Sequence, residues 1–131
     1  MNSAPLEISA GGEYTEKKSR FLGFFAGIDS VAAAVAMVAA LKKEHKKAAH
    51  VCYAYRVAET SESIPVCREK ASGDGEPGGV GSALLGLLKN GGHENCALVV
   101  VRYWGGTLLG AGNLVRAYAK AGKAALGVGA G

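Results

Sequence analysis

The stretch that decides the fold is Cys96–Tyr118, which reads CALVVVRYWGGTLLGAGNLVRAY. Its opening residues are a continuous apolar and largely β-branched run, which predicts a strand buried on both faces. Four glycines within the eight residues 105–112 then predict a loop. The apolar residues that follow recur at helical spacing, so we expect a buried strand, a glycine-rich loop and a helix with one apolar face. The positions of that face are Leu114, Ala117, Tyr118, Ala121 and Ala125.

The bulk composition is that of a globular domain. The chain has 131 residues, of which 49% are hydrophobic and 20% are charged. No apolar run reaches the roughly 20 residues that a membrane helix needs, and no basic segment precedes an apolar one at the N-terminus. Three cysteines without a pairing framework fit a reducing compartment. We therefore expect one cytoplasmic domain over residues 1–131, with an ordered core at about 13–126 and no membrane partner.

The rest of the chain predicts an α+β fold. The pattern indicates a four-stranded sheet with helices packed on one face, the economical arrangement for these elements. The residues up to about 12 are predicted to be a loose lead-in, because Gly11 and Gly12 end it. The remaining predicted elements are a strand at 20–28, a helix from Asp29 or Ser30 to Lys47, strands at 49–57 and 64–68, and a helix from Val80 to about Asn90. In the first helix, Val31, Val35, Val38 and Leu41 are the expected core positions.

A second glycine-rich loop, Ser72–Ser82, reads SGDGEPGGVGS and is expected to lie beside the first. It matches the letters of a dinucleotide-binding motif, but two carboxylates would repel a pyrophosphate and Pro77 lacks an amide donor. Asp74 and Glu76 could act as an acid/base pair or bind a hard cation. They could equally stabilise a turn and the dipole of the next helix. With no nucleophile at a suitable spacing, we predict no catalytic residues and no enzyme.

Metal binding is a weaker alternative. His50 with Cys52, and His93 with Cys96, could in principle supply four zinc ligands. Both cysteines lie on or next to predicted strands, where cysteine serves as a small hydrophobe. We therefore expect no metal and no cofactor.

The glycines of 105–112 allow two interpretations. Free backbone amides near Arg102 and Arg116 could form an anion-binding nest, or the glycines could let the two loops pack together. Tyr103 and Trp104 could form a partner-binding surface or cap the end of the sheet. The candidate binding residues are Asp74, Gly75, Glu76, Pro77, Arg102, Tyr103, Trp104, Gly105, Gly106, Gly110 and Arg116. A possible basic patch, in a chain of net charge +4, consists of Lys17, Lys18, Arg20, Lys120 and Lys123.

Five motifs in order resemble the N-terminal domain of the IMPACT (YigZ-type) family. They cover residues 17–126: Lys18-Ser19-Arg20-Phe21, His50-Val51-Cys52-Tyr53-Ala54, Asp74-Gly75-Glu76-Pro77, Arg102-Tyr103-Trp104-Gly105-Gly106 and Leu114-Val115-Arg116-Ala117-Tyr118. Two positions depart from the family pattern. Gly73 replaces its first acidic residue, and Val80-Gly81-Ser82-Ala83-Leu84 stands where the family has a lysine-containing segment.

The resemblance implies a fold similar to domain 2 of a small-subunit ribosomal protein, with a left-handed βαβ crossover. It also implies a role close to translation. Eukaryotic members regulate translation by binding the activator of a starvation-sensing kinase, and bacterial members carry a second domain and are suspected of binding nucleic acid.

Three functional hypotheses follow. The first is a non-enzymatic regulator of translation and stress response that binds a protein partner. The second is an RNA- or ribosome-binding domain that uses the basic patch and the Arg102/Arg116 loop. The third is a hydrolase that uses Asp74 and Glu76.

Overall fold

The computed structural model describes residue 8 and residues 10–127 of the chain. Five strands and three helices follow one another over this range. They are β1 (Ala10–Glu16), β2 (Ser19–Gly27), α1 (Val31–Glu44), β3 (His50–Ser61), β4 (Ile64–Ser72), α2 (Val80–Asn90), β5 (Cys96–Tyr103) and α3 (Ala111–Leu126). None of these helices combines the length and apolar character needed to cross a bilayer.

The strands form a single antiparallel sheet in the order β1-β2-β5-β3-β4. The expectation of four strands was wrong, because residues 10–16 form β1 rather than a lead-in. Gly12, which suggested a chain break, instead allows α3 to approach the sheet: a Cβ there would lie 2.6 Å from the Cβ of Ala124. A glycine required for close packing is indistinguishable from a loop glycine in the sequence alone.

The helices pack on both faces of the sheet, so the expectation that they share one face was also wrong. One apolar core lies between the sheet and both α2 and α3, and it contains Leu84, Leu98 and Tyr118. A second core lies under α1 and contains Met37 and Val99. Strand β5 contributes alternate residues to the two cores and is buried along almost its whole length, as its apolar run predicts.

The two helical crossovers have opposite hands. β2 and β3 run parallel on either side of β5, and α1 connects them across one face; β4 and β5 run parallel on either side of β3, and α2 connects them across the other face. When the sheet is viewed from one face, with the first strand of each parallel pair pointing upward, the second strand lies on the same side in both pairs. The two connecting helices, however, lie on opposite faces of the sheet. One crossover is therefore left-handed, an exception to the strong right-handed preference.

The local signals in the helices are largely confirmed. Ser30 begins α1 as its N-cap, and its Oγ accepts a hydrogen bond of 3.0 Å from the amide of Ala33. The predicted apolar face of α3 is buried throughout. Val35, an expected core position of α1, is instead 57% exposed.

Candidate functional site

The two glycine-rich loops lie side by side at one end of the sheet, as expected. The end of β5 brings Arg102 to the face covered by α2 and α3, and the loop between β4 and α2 brings Glu76 against it. The turn between β1 and β2 and the start of α3 complete the surroundings. Sequence-distant segments thus converge on one buried ion pair.

Arg102 and Glu76 form that ion pair almost entirely out of solvent. Nη1 of Arg102 donates to both carboxylate oxygens of Glu76, at 3.0 and 2.9 Å, and the side chains are 7% and 4% exposed. Nη2 of Arg102 lies 3.4 Å from Oγ of Ser19. The central carbon of the guanidinium also lies 5.6 Å from the centroid of the Phe21 ring and 5.3 Å from that of the Trp104 ring.

Two further groups contact the Glu76 carboxylate. The hydroxyl of Tyr118, on α3, donates a short hydrogen bond to Glu76 Oε2. Burial raises the pKa of Tyr118 well above its ordinary value, so this phenol remains a protonated donor. Nε2 of His50 lies 3.5 Å from Glu76 Oε1, and its Nδ1 lies 2.8 Å from the backbone oxygen of Asp74. The carboxylate therefore accepts hydrogen bonds from Arg102 and Tyr118, with the His50 ring beside it.

Asp74 anchors the loop to β3. Its Oδ2 accepts a hydrogen bond of 2.8 Å from the backbone amide of Val51, and its own backbone has a positive φ of 49°. Gly75 follows with a φ of 83°, which completes a tight left-handed turn. These contacts give both loop carboxylates a structural role in positioning the segment.

Gly105 packs directly against the turn between β1 and β2. A Cβ at this position would lie 2.2 Å from the carbonyl carbon of Lys18, so no other residue fits without backbone movement. Its amide donates to Oγ of Ser19 at 3.1 Å. Ser19 thus connects Gly105 to Arg102, which favours the packing interpretation for this glycine.

Beside the ion pair lies an apolar groove with a volume of about 240 Å³. Trp104 and Leu108 stand at its rim and are 51% and 83% exposed, although both are large apolar residues. Gly110, the N-cap of α3 without a side-chain cap, lies at one wall. We call this the Trp104 groove; its lining residues are Glu76, Pro77, Arg102, Trp104, Leu108, Leu109, Gly110, Ala111 and Leu114.

Other predicted site residues lie elsewhere. Tyr103 points to the opposite sheet face, where its hydroxyl lies 2.6 Å from Nδ1 of His45. Arg116 is exposed on α3 and donates to Asn113 of the same helix, so it does not join Arg102. Gly106 adjoins Gly105 on an exposed part of the loop.

The basic patch divides into separate positions. Lys17 and Lys18 form the exposed turn between β1 and β2, beside Gly105, whereas Arg20 pairs with Glu13 at 3.1 Å. Lys120 lies over the ring of Tyr14, 4.9 Å from its centroid. Lys123 is exposed farther along α3.

The four residues weighed as zinc ligands do not meet. On β5, the partner of His50 is Arg102, whereas Cys96 pairs with Arg56 at the other end of the strand. Within residues 10–127 no three His, Cys, Asp or Glu side chains are grouped as a metal site. Cys52 is a buried thiol whose Sγ donates to the carbonyl of Gly73 at 3.3 Å, and burial raises its pKa to about 12.

Sequence reasoning missed three residues of the cluster: Ser19, His50 as a contact of Glu76, and the hydroxyl of Tyr118. Tyr118 matches the apolar spacing of α3, so the sequence pattern does not indicate that its hydroxyl makes a hydrogen bond. Ser19 lies between two basic residues, and the only chemical role that the sequence suggests for His50 is that of a metal ligand. The signal available for all three is that each lies inside a motif of the family resemblance.

Comparisons with known proteins agree with this assignment of motifs. The model of the "Impact N-terminal domain" family matches residues 17–126. IMPACT family member YigZ of Escherichia coli (strain K12) is 43% identical over 103 residues, which cover 78% of this chain and 49% of that protein. IMPACT family member YvyE of Bacillus subtilis (strain 168) is 38% identical over 109 residues, covering 82% and 48%. The chain spans about half the length of these curated relatives.

Two solved structures are also similar. A crystal structure of a hypothetical protein has a TM-score of 0.76 at 39% identity, covering 92% of this chain and 59% of that one. The two-domain translational regulator Yih1 has a TM-score of 0.63 at 28% identity, covering 97% and 49%. The chain therefore belongs to the IMPACT family and carries its N-terminal domain.

Proposed function

We propose that this domain acts in translational control by binding a protein partner through the Trp104 groove, and that it does so without catalysis. The observation that carries the proposal is the exposure of Trp104 and Leu108 beside an Arg102 that forms an ion pair with Glu76. Tryptophan and arginine are the residues most enriched at the energetic centres of protein interfaces. A rigid ion pair beneath them pre-organises the rim.

Similarity to a known translational regulator supports the proposed role in translational control. Yih1 is described as a translational regulator, and this chain resembles it over 97% of its length. The likeness reaches only about half of Yih1, so the regulatory role of this chain is our inference from family membership.

The charge of the groove favours a protein over a nucleic acid at this position. Its one lining cation, Arg102, is neutralised by Glu76, and the remaining lining residues are uncharged. A phosphate backbone gains affinity mainly from unpaired Lys and Arg side chains. An apolar rim with internally balanced charge instead suits an apolar segment of a protein.

A cell-free translation extract of the source organism provides the test. In one experiment, the purified chain is added at increasing concentration and the synthesis of a reporter protein is measured. In a second experiment, the tagged chain captures translation-associated proteins from the extract in the presence of RNase. We expect both effects to be lost in the Trp104→Ala/Leu108→Ala variant, because both side chains are exposed and their loss leaves the core intact.

Ile64→Ala is the matched control, since Ile64 is an equally apolar residue, 61% exposed, at the start of β4. It should retain both effects. If the Trp104→Ala/Leu108→Ala variant captures the same proteins and alters translation as the wild type does, the groove is not the binding surface and the proposal fails.

RNA binding is a second candidate, favoured by the position of Lys17 and Lys18. Both are exposed in the turn that packs on Gly105, and they have no acidic partner among the described residues. A fluorescent RNA titrated at several salt concentrations should show an affinity that falls steeply with salt. Lys17→Gln/Lys18→Gln should weaken it, whereas unchanged affinity would end this candidate.

A further inference from the structure

The two faces of the sheet are covered unequally. On one face, α2 and α3 together contact all five strands, whereas on the other face α1 packs over β3 and β5. A groove with a volume of about 250 Å³ lies on that second face, between α1 and the strands β3 and β4.

Apolar groups form most of this second groove, which we call the α1 groove. Val35 is 57% exposed at its rim although its helical spacing predicts a core position. The rings of Tyr53 and Tyr55 lie parallel, 1° apart in plane, with centroids separated by 6.4 Å. The lining residues are Val35, Val38, Ala39, Lys42, Tyr53, Tyr55 and Lys70.

Two lysines, one from each side, give the groove a positive charge. Lys42 comes from α1 and Lys70 from β4, and neither has an ion pair or hydrogen bond with a described residue. The acidic residues of β3 and β4 are already paired: Glu59 with Arg68 at 3.3 Å, and Glu69 with Arg56 at 2.8 Å. Further exposed lysines continue from the end of α1, namely Lys43, Lys46 and Lys47.

We propose that the α1 groove docks a segment of a partner protein in which one aliphatic or aromatic side chain is flanked by Asp or Glu residues. The apolar side chain would occupy the space against Val35 and the partly exposed ring of Tyr53, and the carboxylates would meet Lys42 and Lys70. This surface lies on the sheet face opposite the Trp104 groove, so it is independent of the function proposed above.

The dimensions and exposure favour this occupant over other ligands. A volume of about 250 Å³ lies below the range of roughly 300–1,000 Å³ typical of small-molecule sites, so side chains of a peptide fit better than a whole cofactor. Tyr55 is only 6% exposed, so its ring face is not free to stack on a nucleic-acid base. The helix contributes aliphatic walls, which suit an apolar side chain.

Selection from a random peptide library tests the proposal. The library is displayed on phage and panned against the chain, with excess soluble Lys42→Glu/Lys70→Glu variant as competitor to remove peptides that bind elsewhere. We expect enriched sequences with one large apolar residue flanked by acidic ones. The most enriched peptide is then synthesised and titrated into the ¹⁵N-labelled chain, where NMR shifts should concentrate at Val35, Lys42, Tyr53 and Lys70.

Variants give the quantitative outcome. Lys42→Glu/Lys70→Glu and, separately, Val35→Asp should each weaken peptide binding at least about tenfold, while Lys123→Glu on the opposite face should leave it unchanged. All these positions are exposed, and near-identical NMR spectra of the free variants would show that they fold. Absence of enrichment, enriched peptides without acidic residues, shifts at the Trp104 groove, or stronger shifts of the same resonances with oligouridine would each overturn the proposal.

Discussion

Arg102 and Glu76 neutralise each other in the interior, with the guanidinium Nη1 within 3.0 Å of both carboxylate oxygens and both side chains almost fully buried. The two residues lie 26 positions apart in the chain. Their contact holds the loop between β4 and α2 against the end of β5, which is where the Trp104 groove forms. The shape of that groove therefore depends on an ion pair whose two residues also form part of its lining.

Glu76→Gln should lower the free energy of unfolding by about 3 kcal/mol or more, because it leaves the Arg102 charge buried without its counter-ion. The double variant Glu76→Gln/Arg102→Met should lose less than the sum of the two single changes. Urea unfolding of the four proteins gives the coupling energy. Strictly additive losses would show that the pair is not energetically coupled.

Gly105→Ala should destabilise the chain by roughly 1–3 kcal/mol, because the new methyl group would overlap the backbone of Lys18. Gly86→Ala is the matched change in α2, where a Cβ meets no atom within 4 Å. It should stabilise the protein by roughly 0.5–1 kcal/mol, since alanine is the better helix former. Thermal unfolding measures the change in stability for each variant. Equal changes would contradict the close approach of Gly105 to the turn between β1 and β2.

One cysteine in three should react quickly with a thiol reagent in the native state. Cys67 is exposed on β4, whereas Cys52 and Cys96 are buried with pKa values raised by burial to about 12 and about 11. Reactive thiolate is therefore scarce at both buried positions at neutral pH. Mass spectrometry after brief iodoacetamide treatment should find the label on Cys67, and unfolding in guanidinium should expose all three. Rapid native labelling of Cys52 would contradict its burial.

Stability should fall at alkaline pH. Burial raises the folded-state pKa values of Cys52, Cys96 and Tyr118. Their contribution to stability is therefore fully present below the unfolded-state pKa, which is 9.0 for each thiol and 10.0 for the tyrosine. Above pH 9 for each thiol, and above pH 10 for Tyr118, the unfolded state releases a proton that the folded state retains, which lowers stability by about 1.4 kcal/mol per pH unit for each group. Urea unfolding between pH 8 and 11 measures the slope.

Cys52→Ala is the control for that measurement. It removes one titrating group from the interior and should reduce the slope between pH 9 and 11, even if it lowers stability at pH 7 by creating a cavity. A slope unaffected by this change would mean that Cys52 does not contribute to the alkaline loss.

The elements with strong periodic signals were predictable, and those that depend on close packing were not. The apolar run of β5 and the Leu114–Tyr118 face of α3 each specify their own burial, because alternation and helical spacing are local properties. β1 was missed because Gly12 signals a break, whereas its absent side chain is needed only once α3 lies above it. Val35 shows the reverse case: its helical spacing predicts a buried position, but its side chain is 57% exposed on α1.

The sequence by itself determined the family, the order of most elements, and the positions of two glycine-rich loops with charged residues in or next to them. Each of these features is a pattern of residues that lie close together in the chain. Only the tertiary structure decided that helices cover both sheet faces and that Arg102 meets Glu76 rather than Arg116. It also decided that Ser19, His50 and Tyr118 complete the cluster. The physical reason is that contacts between distant segments depend on strand order and on the side of the sheet each crossover takes, and neither is encoded in any single local pattern.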